Sequence, residues 1–359
     1  MVRKLRCQSV FLFAFIVAMA AGIAEGAEYA LRLHHSLPAI APAHHKMLVP
    51  WARKVERESG GRLSIEVHSS MALGGRPPQL INQVRDGVVD IVWTLAGYTP
   101  GRFPRLEVFE LPFMNSDPVV MNLALHDFVR RYPQEFSEYK LIAVFTHFGQ
   151  ALHARKPVRS ASDLQGMKIR VPSRMGGWIV SSMGAVPIGS PVSKIPELLS
   201  KGVIDAAMIP FEVVQAVKVD ELVDYHITLG SPMSDRFNTQ IFILAMNRDR
   251  YEALPADLQQ VIDDNAGEQT ARWFGRIWTE NEGPGLALAA GSGELIRFSE
   301  SETATLRARV EAPVHARWFR EVAKKGLDGP ALLAQARQLI DKHAISEKES
   351  AKLTPGERP

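Results

Sequence analysis

The sequence predicts an exported α/β protein made of two similar lobes. Three observations support this fold class: an N-terminal segment that is first basic and then apolar, a remaining chain of about 330 residues, and a helix–glycine–strand pattern that occurs twice. One hydrophobic core rarely supports a chain of that length, so two lobes are expected.

Residues 1–27 have the layout of a secretory signal peptide. Three basic residues precede an apolar run from Val10 to Ala21, and small residues follow it. The run is shorter than the ~20 residues that a membrane-spanning helix needs. Cleavage near residues 24–27 would therefore leave a periplasmic protein with no membrane anchor of its own. It would also remove Cys7, the single cysteine, so no disulfide is expected.

The charge of the mature chain is nearly balanced. The signal segment carries three of the 42 basic and one of the 39 acidic residues, which leaves a net charge near +1. No nucleic-acid partner is implied by such a balance. The mature chain is expected to be a monomer.

The first half of the chain alternates strands and helices. Apolar residues recur on one face of the helical segments and alternate or cluster in the strands, and glycines punctuate the boundaries. The predicted elements are a strand at Tyr29–His35, a helix at Pro42–Ser59, a strand at Leu63–His68, a helix at Gln79–Arg85 and a buried strand at Val88–Val92.

The same order of signals returns in the second half. A short helix at Pro196–Lys201 meets Gly202 and then an apolar strand that contains Asp205, just as Gly87 separates a helix from a strand that contains Asp90. The β-branched pairs in both strands are typical of a parallel sheet that is covered on both faces. The recurrence predicts a second α/β lobe.

The C-terminal third is predicted to be mainly helical. After a strand at Phe242–Met246, a helical pattern runs from Ala256 to about Glu282, where Gly283-Pro284-Gly285 would end it. A helix of that length extends ~40 Å, which is more than one lobe. It is therefore expected to lie across both lobes. Two further helices are predicted at Glu302–Ala323 and Pro330–Lys342.

Arg170 is the residue that most directly suggests a function. It lies near the end of a strand predicted at Met167–Val171, which Pro172 terminates by removing a backbone donor. Crevices that bind ligands form at the carboxyl ends of such strands, and a guanidinium offers paired donors to a carboxylate. The alternative is a structural ion pair with an acid such as Asp205.

Two histidine pairs raise the question of a metal site. The rings of His34-His35, and those of His44-His45, cannot both point at one site, because neighbouring side chains diverge. No tight cluster of acids and histidines accompanies them in the sequence. We therefore expect no metal or other cofactor, and His35 is instead a candidate for lining a cleft after the first strand.

A series of short motifs resembles one known family. In chain order they are Gly60-Gly61-Arg62-Leu63, Gly87-Val88-Val89-Asp90, Leu111-Pro112-Phe113, the segment from Asp163 to Pro172, and Gly184-Ala185-Val186-Pro187. Their order and spacing are similar to those of the DctP-type solute receptors of tripartite ATP-independent periplasmic (TRAP) transporters, over nearly the whole mature chain. The resemblance implies a two-lobed periplasmic binding protein fold, with hinge strands between the lobes and a long helix across both.

The resemblance also implies a function and a domain division. Such a receptor binds a small organic acid between its lobes and, after domain closure, delivers it to a sodium-driven permease of two membrane subunits. The first lobe would comprise residues 28–147 and 237–282, and the second residues 148–236 and 283–345, with a flexible tail at 346–359. The chain would cross between the lobes near His147 and Arg236.

Two other functions remain open from the residues themselves. The same cleft would suit a receptor that signals to a membrane sensor. A periplasmic enzyme is the other alternative, although the sequence contains no nucleophile elbow, metalloprotease pair or phosphate-binding loop.

By resemblance, Arg170 would meet the ligand carboxylate, with Gln150 and Ser173 as polar contacts. Val192 stands where many members of the family stack a phenylalanine on the ligand. A cleft with one fixed cation and apolar walls suits a monocarboxylate with an apolar or aromatic portion, which could carry a 2-oxo or 2-hydroxy group.

The apolar wall would then come from other aromatic residues. The candidates are Trp93, Phe148, Trp178 and Phe211. Glu212 follows the second-lobe strand at a point where some oxo-acid receptors use a glutamate to hold a cation together with the ligand. Such a ligand-associated cation is an open alternative to the absence of a cofactor.

Overall fold

The computed structural model describes residues 27–231 and 235–352. The predicted signal peptide lies almost wholly outside the described residues. Two β-sheets with helices packed on their faces form two lobes, so the predicted two-lobed α/β fold is confirmed. No helix in the described part of the chain is long and apolar enough to cross a membrane.

Strands and helices alternate along most of the chain. The strands are β1 (Tyr29–His35), β2 (Leu63–His68), β3 (Ile91–Leu95), β4 (Tyr139–Thr146), β5 (Ala151–Ala154), β6 (Lys168–Val171), β7 (Val186–Gly189), β8 (Ala206–Ile209), β9 (Tyr225–Leu229), β10 (Ile241–Asn247) and β11 (Glu294–Phe298). The α-helices are α1 (Val49–Glu58), α2 (Leu80–Arg85), α3 (Pro118–Arg131), α4 (Arg174–Ser182), α5 (Ile195–Ser200), α6 (Arg248–Glu252), α7 (Ala256–Asp264), α8 (Gly267–Ser292), α9 (Glu300–Ala323) and α10 (Gly329–Lys352). Shorter helical turns include Ala43–Leu48, Ala96–Tyr98, Leu106–Glu110 and Phe211–Val213.

The two sheets share one plan. The first has the strand order β2-β1-β3-β10-β4, and the second has the order β7-β6-β8-β5-β9-β11. In the first sheet β10 runs antiparallel to both neighbours, and in the second β5 does. Each of these strands directly follows a crossing of the chain between the lobes. The other pairs are parallel, so the carboxyl ends of most strands meet at one edge of each sheet.

The repeated helix–glycine–strand signal is present in both lobes, but its strands begin later than predicted. β3 starts at Ile91 and β8 at Ala206, in each case three residues after the predicted start. Val88 and Val203 are 53% and 42% exposed, so these β-branched residues belong to the turns and not to the buried strands.

The two acids of the repeat explain why both strands begin late. Asp90 accepts a hydrogen bond from the backbone N–H of Arg32 at 2.7 Å, and Asp205 accepts one from that of Lys168 at 2.8 Å. Each acid therefore binds the backbone of the neighbouring strand just before its own strand begins. Among the described residues, Arg170 instead donates to two backbone carbonyls and forms no ion pair with Asp205.

The helix predicted at Ala256–Glu282 is in fact two helices. α7 ends at Asp264, and α8 begins at Gly267, whose φ of 73° lies in the left-handed region that glycine tolerates. The predicted terminator was wrong, because α8 continues through the exposed Pro284 to Ser292. α8 packs on α3 and β4 of the first lobe and on the turn Phe211–Val213 of the second, which confirms a long helix across both lobes.

The last two helices divide between the lobes. α9 packs on α4 in the second lobe, whereas α10 returns to α3 in the first. A hydrogen bond of 2.8 Å from the Tyr132 hydroxyl to Gln335 and an ion pair of 2.6 Å between Arg272 and Glu347 hold α10 there. Residues 346–352, predicted as tail, are part of this helix, and residues 353–359 lie outside the described residues.

The two crossings between the lobes lie side by side. The N–H of Gln150 donates to the carbonyl of Asn238 at 2.7 Å, and the Thr239 hydroxyl donates to the carbonyl of His147 at 2.9 Å. Gly149 has a φ of 130°, and a Cβ at this position would lie 2.6 Å from Cγ of Arg236. Only glycine fits this backbone and this space.

We expect Gly149→Ala to destabilise the protein by about 2 kcal/mol or more, because the new methyl group meets both a strained φ and the Arg236 side chain. Gly283→Ala is the matched control, since it lies in α8, where an added methyl group would have no atom within 4 Å and the φ is one that alanine adopts freely. Thermal unfolding of both variants checks the difference. Equal melting temperatures would contradict the proposed constraint at the crossing.

Candidate ligand-binding site

A cavity lies between the lobes at the carboxyl edges of both sheets. Its walls are formed by the segments that follow β1, β3, β4, β6 and β8, by the starts of β5 and β10, and by α8. The space between the protein atoms, with its opening to solvent included, is about 620 Å³. Ligands of open α/β sheets bind at this position because the strands end there in backbone groups and loops.

Arg170 is the charged centre of this cavity. It is 1% exposed, and its Nε and Nη1 donate to the carbonyls of Ser190 (2.8 Å) and Met208 (3.1 Å). Nη2 has no hydrogen-bond partner among the described residues. Burial lowers the pKa of Arg170 to about 10, so the group stays charged at neutral pH. The two carbonyls fix the plane of the guanidinium and leave the NH2 group of Nη2 for an anion.

Tyr98 brings the first lobe to this cation. Its hydroxyl oxygen accepts the N–H of Val192 at 3.2 Å, and it lies close enough to Arg170 to favour the charged guanidinium. Burial raises the pKa of Tyr98, so the phenol remains neutral. Tyr98 thus links the first lobe to the anion-binding side of the second.

His147 and Gln150 form a polar pair at the first crossing. The N–H of Gly149 donates to Nδ1 of His147 at 2.7 Å, and burial together with the charge of Arg236 lowers the pKa of His147 to about 3. The ring is therefore neutral, with its proton on Nε2. Nε2 lies 3.5 Å from the Gln150 amide. Because Nε2 carries the proton and is a donor, the amide oxygen of Gln150 is the group that faces it. The NH2 group of Gln150 then becomes a second donor for the cavity.

One wall of the cavity is aromatic. Trp93 stacks on Phe242 with ring centroids 4.9 Å apart, and the Trp278 ring lies 5.8 Å from that of Phe242. The indole N–H groups of Trp93 and Trp278 are buried without a hydrogen-bond acceptor in the described part of the chain. The wall therefore combines aromatic rings with two indole N–H groups that have no acceptor in the described part of the protein.

Glu212 lies in the cavity wall and belongs to a buried ionic cluster. Glu212 hydrogen-bonds with Glu282, and Nη2 of Arg236 donates to Oε1 of Glu282 at 2.5 Å. Burial, and secondly the charge of Glu282, raise the pKa of Glu212 well above its ordinary value. We call Glu212, Glu282 and Arg236 together the Glu212 cluster.

The structure separates the predicted site residues into two groups. Arg170, Gln150, Trp93 and Glu212 come together in the cavity, and so does Val192. Ser173 and Trp178 instead line a second, more open groove between the lobes. Ser173 caps α4 by accepting the N–H of Gly176 at 3.2 Å.

Three predicted aromatic residues pack around cations or other rings. Trp178 lies under the guanidinium groups of Arg174 and Arg317, at 5.2 and 4.9 Å from the ring centre. Phe148 and Phe211 are the aromatic partners of Arg236, at 5.1 and 5.4 Å. These three rings do not line the cavity.

His35 is placed behind the cavity wall. Its Nε2 lies 2.9 Å from Nδ1 of His44, and its ring meets the edge of Trp93 at 5.9 Å. Burial, followed by the charge of His44, lowers the pKa of His35 to about 3. His35 therefore supports Trp93 as a neutral ring.

Several lining residues were missed by the sequence reasoning. They are Tyr98, His147, Gln240, Phe242 and Trp278. A lone tyrosine after β3 and aromatics in β10 and α8 carry no local signal, since only the crossings bring them to the cleft. His147 was predicted as a crossing residue, and its position after a strand end could have suggested a role in the cavity.

Within residues 27–231 and 235–352, no group of three or more histidine, cysteine, aspartate or glutamate residues is arranged to hold a metal ion. Arg236 already supplies a positive charge to Glu282. A cation beside Glu212 would therefore meet a neighbouring guanidinium, which disfavours it electrostatically.

Polar contacts hold the lobes together around the cavity. Nη2 of Arg174 in the second lobe lies 2.5 Å from Oε2 of Glu107 in the first. The backbone of Gly97 approaches Ser173 so closely that a Cβ would lie 2.5 Å from Cβ of Ser173. Glu110 contacts the same serine through its side chain. The two lobes are therefore in direct contact, and the structure corresponds to a closed cleft.

Comparison with known proteins identifies the family. Residues 33–321 match the family of bacterial extracellular solute-binding proteins, family 7 (DctP). The chain belongs to this family, the solute receptors of TRAP transporters. Its members are binding proteins and not enzymes, which agrees with the absence of catalytic motifs in the sequence.

Solved TRAP receptors share the fold of this receptor over most of its length. A marine metagenome protein specific for aromatic acid ligands, in complex with metahydroxyphenylacetate, is 40% identical, with 88% of this chain and 99% of that chain covered and a TM-score of 0.85. A protein of Rhodoferax ferrireducens with copurified benzoate is 38% identical (89% and 99% covered, TM-score 0.86). One of Bordetella bronchiseptica with bound mandelate is 26% identical (87% and 99% covered, TM-score 0.78).

Glu110 gives the receptor a pH-dependent stability. Its Oε1 accepts the N–H of Ile241 at 3.1 Å, and burial raises its pKa to about 8 from an ordinary 4.5. Between these two values the folded state keeps a proton that the unfolded state has released. The free energy of unfolding therefore falls as the pH rises through this window, and the loss is complete above the folded pKa.

We expect Glu110→Gln to reduce the loss of unfolding free energy at rising pH, since glutamine accepts the N–H of Ile241 without ionising. Melting temperatures of variant and wild type should be close at pH 5 and diverge in favour of the variant by pH 8. Glu107→Gln serves as the control: it removes the charge of the ion pair with Arg174 and one smaller cause of the raised pKa of Glu110. It should keep most of the pH slope because burial is the largest cause. Parallel curves for Glu110→Gln and wild type would refute this assignment.

Proposed function

We propose that this chain is the periplasmic receptor of a TRAP transporter for an aromatic monocarboxylate. It binds the acid between its lobes, with the carboxylate on Arg170 and Gln150 and the ring against Trp93 and Trp278. It then delivers the acid to a sodium-driven permease of two membrane subunits. The proposal includes export as a monomer after removal of the signal peptide and lobe boundaries at residues 147–148 and 236–237.

The observation that carries this proposal is the unpaired donor of Arg170. Among the described residues that line the cavity, Arg170 is the only lysine or arginine. A buried cation whose Nη2 has no partner is completed by one negative charge. The Glu212 cluster contains its own cation and adds none, so a second carboxylate on the ligand would be buried without a partner.

The apolar wall supports an aromatic body for the ligand. Flat rings fit between the Trp93–Phe242–Trp278 wall of the first lobe and the apolar residues Val192, Ile209 and Val213 opposite. Polyhydroxylated acids would leave several hydroxyl groups unsatisfied there. The relatives that bind metahydroxyphenylacetate and benzoate point to the same class of ligand.

The ligand class is tested by isothermal titration calorimetry. We expect benzoate, mandelate or 3-hydroxyphenylacetate to bind, and succinate to bind poorly because its second carboxylate loses its hydration without a counter-charge. Cyclohexanecarboxylate is the control for the aromatic wall, since it keeps charge and size but lacks the flat ring. Tight binding of succinate without binding of any aromatic acid would overturn the proposed ligand class.

Arg170→Ala and Arg170→Lys should both lose about 30-fold to several thousand-fold in affinity for the acid that binds, because a buried charge partner contributes ~2–5 kcal/mol. Lysine keeps the charge but loses the fork and its bonds to Ser190 and Met208. Arg317→Ala removes a cation near the cleft but outside the cavity, and should leave the affinity unchanged. Calorimetry on the folded variants measures this, and wild-type affinity in Arg170→Ala would refute the role of Arg170.

A further inference from the structure

The Glu212 cluster contains two carboxyl groups and one guanidinium in a space that is closed to solvent. Glu282 and Arg236 are buried, and Glu212 is buried except for the part that meets the cavity. If both carboxyl groups were ionised, the cluster would hold an uncompensated negative charge away from water, which is strongly unfavourable. One proton therefore belongs to the cluster.

Hydrogen bonding decides where that proton lies. Arg236 donates to Glu282, which makes Glu282 the better site for the negative charge. Oε2 of Glu212 and Oε2 of Glu282 each lack a protein donor among the described residues, yet the two side chains are within hydrogen-bonding contact. A proton on Glu212 that is donated to Glu282 satisfies both atoms. The other oxygen of Glu212 is then a neutral acceptor beside the cavity.

The spanning helix carries a donor that is unpaired among the described residues, the Trp278 indole, on the same face as Glu282. Gly285 lets α8 approach the turn Phe211–Val213 so closely that a Cβ there would lie 2.4 Å from the carbonyl oxygen of Phe211. This approach brings Glu282 to Glu212. Trp278 precedes Glu282 by four residues and so lies on the same face of α8, with its indole N–H free and its ring in the cavity wall.

We propose that Glu212 and Trp278 select a hydroxylated aromatic acid, with the ligand hydroxyl donating to Glu212 and accepting from the Trp278 indole. A hydroxyl group has one donor and two acceptor sites, so it satisfies both protein groups at once. A second carboxylate has no hydrogen to donate to Glu212, and an unsubstituted ring leaves both groups unpaired. This inference deepens the proposed function and rests on it.

The test begins with wild-type receptor and a ligand series that differs only at the hydroxyl. Calorimetry compares benzoate, the three hydroxybenzoate isomers and 3-methoxybenzoate. At least one hydroxybenzoate should bind about 10-fold more tightly than benzoate, since one well-placed hydrogen bond contributes roughly this much. Methoxybenzoate, which accepts but cannot donate, should show no such gain.

Variants then assign the preference to the two residues. Glu212→Met keeps the size of the side chain, removes the acceptor and leaves Arg236 paired with Glu282. Benzoate should still bind to this variant, while the ratio of hydroxybenzoate affinity to benzoate affinity should fall towards one. Glu212→Gln can donate to Glu282 and accept from the ligand, and should keep the preference. Trp278→Phe keeps the ring and loses the donor, and should reduce the preference several-fold. If Glu212→Met fails to fold, the comparison of Glu212→Gln with Trp278→Phe decides the assignment.

The outcomes separate this inference from the proposed function. Binding of benzoate by wild type with no gain from any hydroxyl isomer overturns the role of Glu212 and Trp278 and leaves the proposed function intact. A preference that persists unchanged in Glu212→Met or in Trp278→Phe overturns it as well. Failure of every aromatic acid to bind overturns the proposed function together with this inference.

Discussion

The burial of Arg170 is the constraint on which the rest of the site depends. A guanidinium that is 1% exposed loses its hydration, and the two carbonyls of Ser190 and Met208 compensate for only part of that loss. Ser190 directly follows β7 and Met208 lies in β8, the two strands that flank β6 in the second sheet. The fold of that lobe therefore holds the cation rigidly and leaves the NH2 group of Nη2 unpaired in the described part of the protein, so that an anion bound there would cost little reorganisation of the protein.

Arg236, a second buried arginine, has a structural role and can be compared with Arg170. Arg236 is equally inaccessible, but it has Glu282 as an internal counter-charge and two phenylalanine rings at its faces. It holds the second crossing to the spanning helix. Both arginines are buried, so burial does not distinguish them. The difference is that Arg236 is paired with a carboxylate of the protein, whereas Nη2 of Arg170 has no partner among the described residues.

The sequence predicted the parts of the site that depend on local chain geometry. The position of Arg170 near a strand end, just before Pro172, is set by a few neighbouring residues. Trp278 and Phe242 could not be predicted in this way, because α8 and β10 reach the cleft only after the chain has crossed twice between the lobes. Trp178 was predicted to line the cleft, but it belongs to α4, which turns the ring to the second groove, beside Arg174 and Arg317.

The closed cleft and the ligand site share one residue, and this connects binding to the contact between the lobes. Tyr98 of the first lobe accepts a hydrogen bond from the backbone of Val192 in the second and stands beside Arg170. A ligand can favour the closed arrangement only through contacts that exist there and not in an open one. An anion on Arg170 that also touches the wall of Trp93 and Trp278 makes such contacts with both lobes. A ligand bound as proposed would therefore concentrate the energy of closure at the cavity, while surface contacts such as Arg174 with Glu107, partly exposed to water, would contribute less.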